Sequence, residues 1–451
     1  MAKYQKYPEY KDSGVHWIGE IPQNWSFLRG KWKFKTLKEV NRNLQCMERL
    51  ALTMNGVIER SIDSDDGLQP AEFSGYQIFE KNDLVFKLID LENFKTSRVG
   101  LVFKKGIMSP AYIRLQPLKD TDSKFYYYFY FDLYLRGIYN QIGGQGVRSA
   151  LNAIDLLEIE ICIPSILEQK KIVDFLDHET AQLDTLIAKQ EKLIELLKEK
   201  RQAVISHAVT KGLNPNVPMK DSGSLWTTQI PSHWKLTKLT YVARIGNGAT
   251  PSRDNEAYWK DGSIGWINSS KVNDVIITEA DQFITPLAKN QTSVQVVQPT
   301  DLVMAITGEG QTRGRIAICQ LDATINQHLA SIRITDKNLN HEFLFYWLTA
   351  NYERIRYEST GAGSTKGAIT CGDIGLYPVP LPPYQEQLEI VASIKKQSET
   401  FKSLVAKAES AIQLMQERRI ALISAAVTGK IDVRHHASRP TGNDKMQTEV
   451  V

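Results

Sequence analysis

Residues 164–210 read PSILEQKKIVDFLDHETAQLDTLIAKQEKLIELLKEKRQAVISHAVT, and residues 382–428 read PPYQEQLEIVASIKKQSETFKSLVAKAESAIQLMQERRIALISAAVT. The two stretches align without a gap at an offset of 218. Pro164, Glu168, Gln169, Arg201, Ser206, Ala208, Val209 and Thr210 recur as Pro382, Glu386, Gln387, Arg419, Ser424, Ala426, Val427 and Thr428. A repeat of this length decides the architecture before any local reading does. Outward from it, Asp83-Leu-Val85, Gly143 and Asp155 recur as Asp301-Leu-Val303, Gly361 and Asp373. Nearer the N-terminus the offset is 209: Lys11-Asp-Ser-Gly14, Trp17, Ile21, Pro22 and Trp25 match Lys220-Asp-Ser-Gly223, Trp226, Ile230, Pro231 and Trp234. The second copy therefore gains nine residues between these two sets of matches. Two frames of fixed length carry two divergent inserts. That suits a molecule that measures a distance while varying what it reads; duplication merely to build a core is the plain alternative.

The repeated stretches predict long helices. Residues 168–200 hold no Gly or Pro and are rich in Leu, Glu, Lys and Gln. Ile172, Leu176, Leu183, Leu186, Leu193 and Leu197 form a seam at alternating steps of four and three, with Glu179 and Gln190 interrupting it. The second copy places Ile390, Ile394, Phe401, Leu404, Ala408, Ala411 and Met415 on its seam, with Gln397 polar. Small residues in one copy facing bulky ones in the other predict an antiparallel intramolecular pair; a homodimeric coiled coil is the alternative. Gly212 and Gly429 are the expected stops. A rod of roughly 50 Å exceeds one DNA turn of about 34 Å and would act as a ruler.

Residues 26–160 and 235–380 alternate short apolar runs with Gly, Asn, Asp and Pro turns, which predicts strands. Each ends in an aromatic helix-like run, Phe125–Ile138 or His341–Tyr357. Six consecutive aromatics, Tyr126–Phe131, resemble a base-stacking platform. Leu344 and Leu348 hold equivalent slots in the other copy, so a packed core helix is the better reading. A Gly-rich loop follows in each copy, with Gln145, Arg148 and Ser149 in one and Lys366 in the other. Glycines permit close backbone approach, and one cation with hydroxyls suits a phosphate; a connecting turn is the plain alternative. The second candidate is Gly308–Arg315, holding Gln311, Arg313 and Arg315, with Arg98 as its counterpart. Arg and Gln form bidentate contacts with guanine and adenine edges, although a solvated turn explains the loop equally well. Ser270, Lys271 and Asn273, and the run Asn326-Gln-His328, complete the set.

Composition narrows the class. The net charge is +4 over 451 residues, so bulk charge names no partner. The two inserts are close to neutral, with 19 cations against 17 anions in 26–160 and 14 against 14 in 235–380. DNA binding then requires charge sorted onto one face. Cys46, Cys162, Cys319 and Cys371 form no CxxC or Cys/His cluster, which argues against zinc and suits a reducing cytosol. The N-terminus lacks the apolar core of a signal peptide, and no apolar run is long enough to span a membrane. Leu381-Pro-Pro-Tyr384 resembles an amino-methyltransferase motif, but Leu381 stands where an amide or carboxylate must hold the target amine. No GxGxxG after a strand, HExxH or GxSxG is present. The expectation is a non-catalytic chain with no metal.

In their order and duplication, these motifs resemble the specificity subunit of type I restriction-modification enzymes over almost the whole chain. The resemblance rests on Tyr10–Gly14 with Trp17–Pro22 and Trp25, on Pro164, Glu168-Gln169 and Ala203–Thr210, and on Leu381–Gln387 with Ala421–Lys430. It implies two target recognition domains, each reading half of a bipartite sequence in double-stranded DNA. It implies helices that space them and dock two modification (methyltransferase) subunits, with two restriction (ATPase/nuclease) subunits completing the complex. S-adenosylmethionine, ATP and Mg would then sit on those partners, with no cofactor in this chain, in a prokaryotic cytoplasm. The expected fold is α+β: two similar mixed α/β target recognition domains joined by two long antiparallel helices, a pseudo-two-fold tandem duplication. The expected boundaries are 1–163, 164–215, 216–380, 381–433 and a disordered polar tail over 434–451. A helical protein-interaction scaffold without sequence-specific DNA reading is the rival, and a self-sufficient DNA methyltransferase a more distant one.

Overall fold

A computed structural model describes residues 4–53, 56–62, 72–89, 91, 98–142, 150–308, 311–360 and 367–436. It divides into two units, residues 1–191 with 409–451, and residues 192–408. Two long helices, α2 (Ile166–Lys211) and α4 (Tyr384–Val427), contribute one part to each unit.

In the first unit, four antiparallel strands stand in the order Phe34–Lys35, Ile113–Pro117, Leu84–Lys87, Arg98–Leu101. Helix α1 (Ser123–Leu135) packs on them, started by Asp122, whose carboxylate accepts from the Lys124 and Phe125 amides. Phe125, Tyr126, Phe129 and Tyr130 are fully buried, so the aromatic run is core, not a stacking platform. Removing each such ring from water stabilises the fold by about 1.5–3 kcal/mol. Gly137, at φ 65°, separates α1 from a short helix at Ile138–Ile142.

The second unit repeats that strand order as Ala243–Asn247, Leu329–Ile334, Leu302–Ala305, Ile316–Cys319, and adds Ile276–Ile277 in parallel at the edge. A further four-stranded sheet, Gln282–Ile284, Ile264–Ile267, Ala323–Ile325, Gln295–Val297, has its own core of Trp266, Ile284, Ala288 and Val294. Helix α3 (His341–Ala350) occupies the place of α1, started by Asn340. The alignment pairs Tyr139 with Tyr357, yet Tyr139 is buried and Tyr357 is exposed.

The duplicated motifs build joints. Gln169 Oε1 accepts from the Asp122 amide at 3.0 Å, and its Nε2 donates to the Pro164 carbonyl at 2.9 Å. Gln387 accepts from the Asn340 amide at 2.8 Å and donates to the Pro382 and Asn338 carbonyls. One buried amide thus ties the start of a long helix to the cap of an aromatic helix in each unit. The hairpin Tyr10–Asp12/Glu20–Pro22 brings Pro22 and Trp25 onto Gly429, and Tyr10 donates its hydroxyl proton to the Gly429 carbonyl. In the second unit Pro231 and Trp234 pack on Gly212. Both glycines have positive φ, 72° and 75°, and end their helices as expected. A Cβ on Gly429 would fall 2.3 Å from Pro22.

Each unit holds an antiparallel helix pair. In the first, Ile172 and Leu176 share a core with Leu422–Val427, while Glu179 and Asp184 reach back to Arg418 and Arg419. In the second, Ile205 and Val209 share a core with Ile390 and Ile394, and Arg201 meets Ser398. The seam departs from the expected one. Leu176, Leu183, Ile394 and Ala408 are buried, and Leu197, Phe401, Ala411 and Met415 are half-buried. Leu186, Leu193 and Leu404 are exposed, and the half-buried positions beside them are Ile187, Ile194 and Val405. The physical reason is a one-residue step: the inward positions run Leu183, Ile187, Gln190, Ile194, Leu197, which is again an alternation of four and three. Residues 434–436, expected in the disordered tail, are ordered and packed. Arg434 pairs with Asp432 and covers the Tyr7 ring, and His436 packs edge-on against Phe175. Residues 437–451 lie outside the described residues.

Candidate nucleic-acid interface

The loop after Leu302–Ala305 in the second unit gathers several of the expected residues. Residues 311–315 lean on a short helix, Tyr352–Glu358. The Tyr352 hydroxyl donates to the Gln311 carbonyl, and Gly314, at φ 84°, backs onto Ile355 and Arg356. Arg315 donates to Asn273 Oδ1 at 2.7 Å and to Gln311 Oε1 at 3.3 Å. Asn273 in turn donates to the Ser270 carbonyl at 2.9 Å. Two stretches that lie apart in sequence therefore meet in one surface group: Ser270, Asn273 and Gln311 are exposed and Arg315 is half-buried. Held guanidinium and amide groups of this kind match purine edges. A cleft of about 390 Å³ opens beside them, floored by Val272, Ile316 and Phe345.

Lys271 is corrected. Its side chain is 10% exposed, and Nζ lies 3.0 Å from Asp281, 3.4 Å from Glu279 and 3.8 Å from Asp274. The hydrogen bond it donates to Asp281, with Glu279 behind it, raises its pKa and keeps it charged. That charge is spent on three carboxylates, so Lys271 fastens the turn Ser269–Asn273. Arg313 is corrected too. It is 4% exposed, so it does not project as a base-reading side chain would.

A second polar chain lies on the same unit. Thr250 donates to Gln327, Gln327 Nε2 meets His328 Nε2 at 3.2 Å, and His328 Nδ1 meets Thr307 at 2.7 Å. Thr307 also bridges to Ala368, so the loops around 250, 307, 327 and 368 come together. The sequence reading missed Arg253. Its guanidinium lies 3.7 Å from the Trp259 ring centroid and 4.8 Å from that of Trp266, and it donates to Gln282 at 2.8 Å. An exposed cation fixed on two indoles is pre-organised for an anion. The available signal was Arg253 six residues before Trp259 in a Pro/Ser/Asp/Asn-rich stretch.

In the first unit, Arg98 lies on the strand Arg98–Leu101 opposite Lys87, and its side chain lies outside the described residues. Gln145, Arg148 and Ser149 lie outside them as well, as does Lys366 in the second unit. In the first unit Lys104 is paired with Glu48 and Glu59, and Lys105 with Glu80. The duplicated aspartates are structural. Asp83 binds Arg114 at 2.5 Å and accepts from the Glu80 amide; burial pushes its carboxyl up, while that amide and Arg114 pull it down. Asp301 binds Arg333 at 2.6 Å and accepts from the Gln298 amide. Leu381-Pro-Pro-Tyr384 runs from the last strand into α4, and the Pro382 carbonyl is held by Gln387, so this motif also serves a joint.

The family model described as "Type I restriction modification DNA specificity domain" matches residues 30–196 and again 231–412, together well over half the chain. The chain belongs to that family. Its specificity domain occurs twice, in agreement with the repeated strand order. The chain is 24% identical over 438 residues to a Methanocaldococcus jannaschii protein named for the specificity subunit of type I restriction enzyme MjaX; the match covers 92% of this chain and 96% of that one. It is 24% identical over 349 residues to the type I restriction enzyme EcoBI specificity subunit of Escherichia coli, covering 74% and 71%. A solved chain from a study of complex assembly and conformational transition of the type I R-M system has the same fold. Its TM-score is 0.68 at 15% identity, over 90% of this chain and 98% of that one. Among the described residues no helix is long and apolar enough to cross a membrane, and no His/Cys/Asp/Glu group could hold a metal ion.

Proposed function

We propose that this specificity subunit reads a bipartite DNA target, one half per recognition domain, and is itself non-catalytic. Two modification subunits dock on the long helices and two restriction subunits complete the assembly, in the cytoplasm of a prokaryote. S-adenosylmethionine, ATP and Mg belong to those partners. The observation that carries the reading is one strand order, present twice within a duplicated frame, with divergent loops; in the second copy these loops carry the Asn273–Arg315–Gln311 group. A constant frame with variable loops gives separate control of spacing and of sequence. Leucines left exposed on the helices, Leu186 and Leu193 on α2 and Leu404 and Leu414 on α4, support partner docking.

Methylome sequencing tests this. Cells carrying the chain with its modification subunit should gain a split methyladenine motif, and exchanging residues 235–380 should alter one half only. A short insertion within 185–200 should change the gap. An assembled complex that yields no motif, and binds scrambled and cellular DNA alike, would establish the scaffold reading instead.

A further inference from the structure

Arg313, in the stretch 311–315, lies beside residues 367–369, and the Ile369 amide donates to the Ile306 carbonyl at 2.8 Å. Its guanidinium lies against Gly367, where a Cβ would fall 2.0 Å from Nη1. Among the described residues it has no hydrogen-bond or ion-pair partner. Nε is sealed from solvent and unpaired, while the two terminal nitrogens are not among the sealed atoms. Other arginines of the chain are matched: Arg114 has Asp83 and the Ile78 carbonyl, Arg333 has Asp301, and Arg315 has Asn273 and Gln311. A charge taken out of water without a counter-charge is strongly unfavourable. An arrangement that tolerates it is completed by an anion from outside.

We propose that Arg313 receives a DNA phosphate, through its terminal guanidinium nitrogens, Nη1 and Nη2. The proposal rests on the DNA-reading function above and names one contact within it. Geometry favours a phosphate over a base. Base edges lie at the floor of a groove about 8.5 Å deep, so a residue that reads them must project. Arg313 is recessed, so its ligand must project toward it, and phosphates are the protruding anions of a duplex. Gly367, having no side chain, leaves room for the guanidinium and keeps the rim low.

The test uses the full chain assembled with its modification subunit and two duplexes, one carrying the target and one scrambled. Arg313→Met should weaken binding to both by a similar factor. It should also shallow the slope of log K against log salt by about 0.9, the release expected for one phosphate, and leave the methylated motif unchanged. Arg313→Lys should restore most of the slope. The melting temperature of Arg313→Met without DNA should stay level or rise, because an unpaired buried charge has been removed. Relaxation of one motif position would assign Arg313 to a base, and an unchanged slope with a lower melting temperature would make it structural; either overturns the proposal. The slope on scrambled DNA is read whether or not a bipartite motif exists, so it fails independently of the functional reading.

Discussion

The two units hold the same duplicated aspartate in different surroundings. In the first, Asp83 and Arg114 are each 1% exposed, and the arginine lies opposite Val85 in the neighbouring strand. In the second, Asp301 is 2% exposed, but Arg333 is 35% exposed and lies two register positions beyond Ser331, the residue opposite Val303. Duplication has kept the carboxylate and the turn it closes, while the cation has come from different positions. The comparison teaches that the frame conserves a local function, a buried acid that accepts a turn amide, and lets the balancing charge drift.

The largest expected effect comes from removing the cation on the sealed side. Arg114→Met should cost about 3–5 kcal/mol in denaturant unfolding, because it strands a buried carboxylate. Arg333→Met should cost about 1–3 kcal/mol, since water reaches that site. Equal losses would break the comparison. The helices come next. Leu183→Ala should cost about 2–4 kcal/mol, and Leu186→Ala should stay within about 0.5 kcal/mol. Reversed values would restore the seam read from sequence. At the joints, Gln169→Leu and Gln387→Leu should each cost about 1–3 kcal/mol, more for Gln387, which holds one carbonyl more. The smallest difference concerns the paired tryptophans. Trp234 Nε1 donates to Glu386 at 3.1 Å, whereas Trp25 Nε1 is buried without a partner because Tyr7 and Asn24 occupy Glu168. Beyond the shared loss of ring size, Trp234→Phe should cost about 1 kcal/mol more than Trp25→Phe.

Much of the fold was legible in the sequence because its signals are local and repeated. The strands at Ile264–Ile267 and around Asp83 and Asp301, both long helices, and the glycine stops at Gly212 and Gly429 follow from composition and spacing. The seam was misplaced by one residue at Leu186, Leu193 and Leu404, because Ile187, Ile194 and Val405 are as apolar as their neighbours. A pattern with apolar residues at adjacent positions admits two faces, and packing selects one. The interface was less legible. Residue type placed Lys271, Arg313 and Arg315 in one class; their surroundings divide them into a cation held by three carboxylates, a recessed guanidinium and a held surface group.

By itself the sequence determined the duplication, the constant frame, the two variable inserts and the family resemblance, because each is a matter of residue order. Only the tertiary structure decided that Arg315, also held by Gln311, meets Asn273 across the gap between their loops, and that Arg253 rests on two indoles. It alone decided that Arg313 faces Gly367 with no counter-charge among the described residues. The reason is physical: whether a charge is free, matched or stranded depends on burial and on partners distant in sequence, and neither is written in the residue or its neighbours.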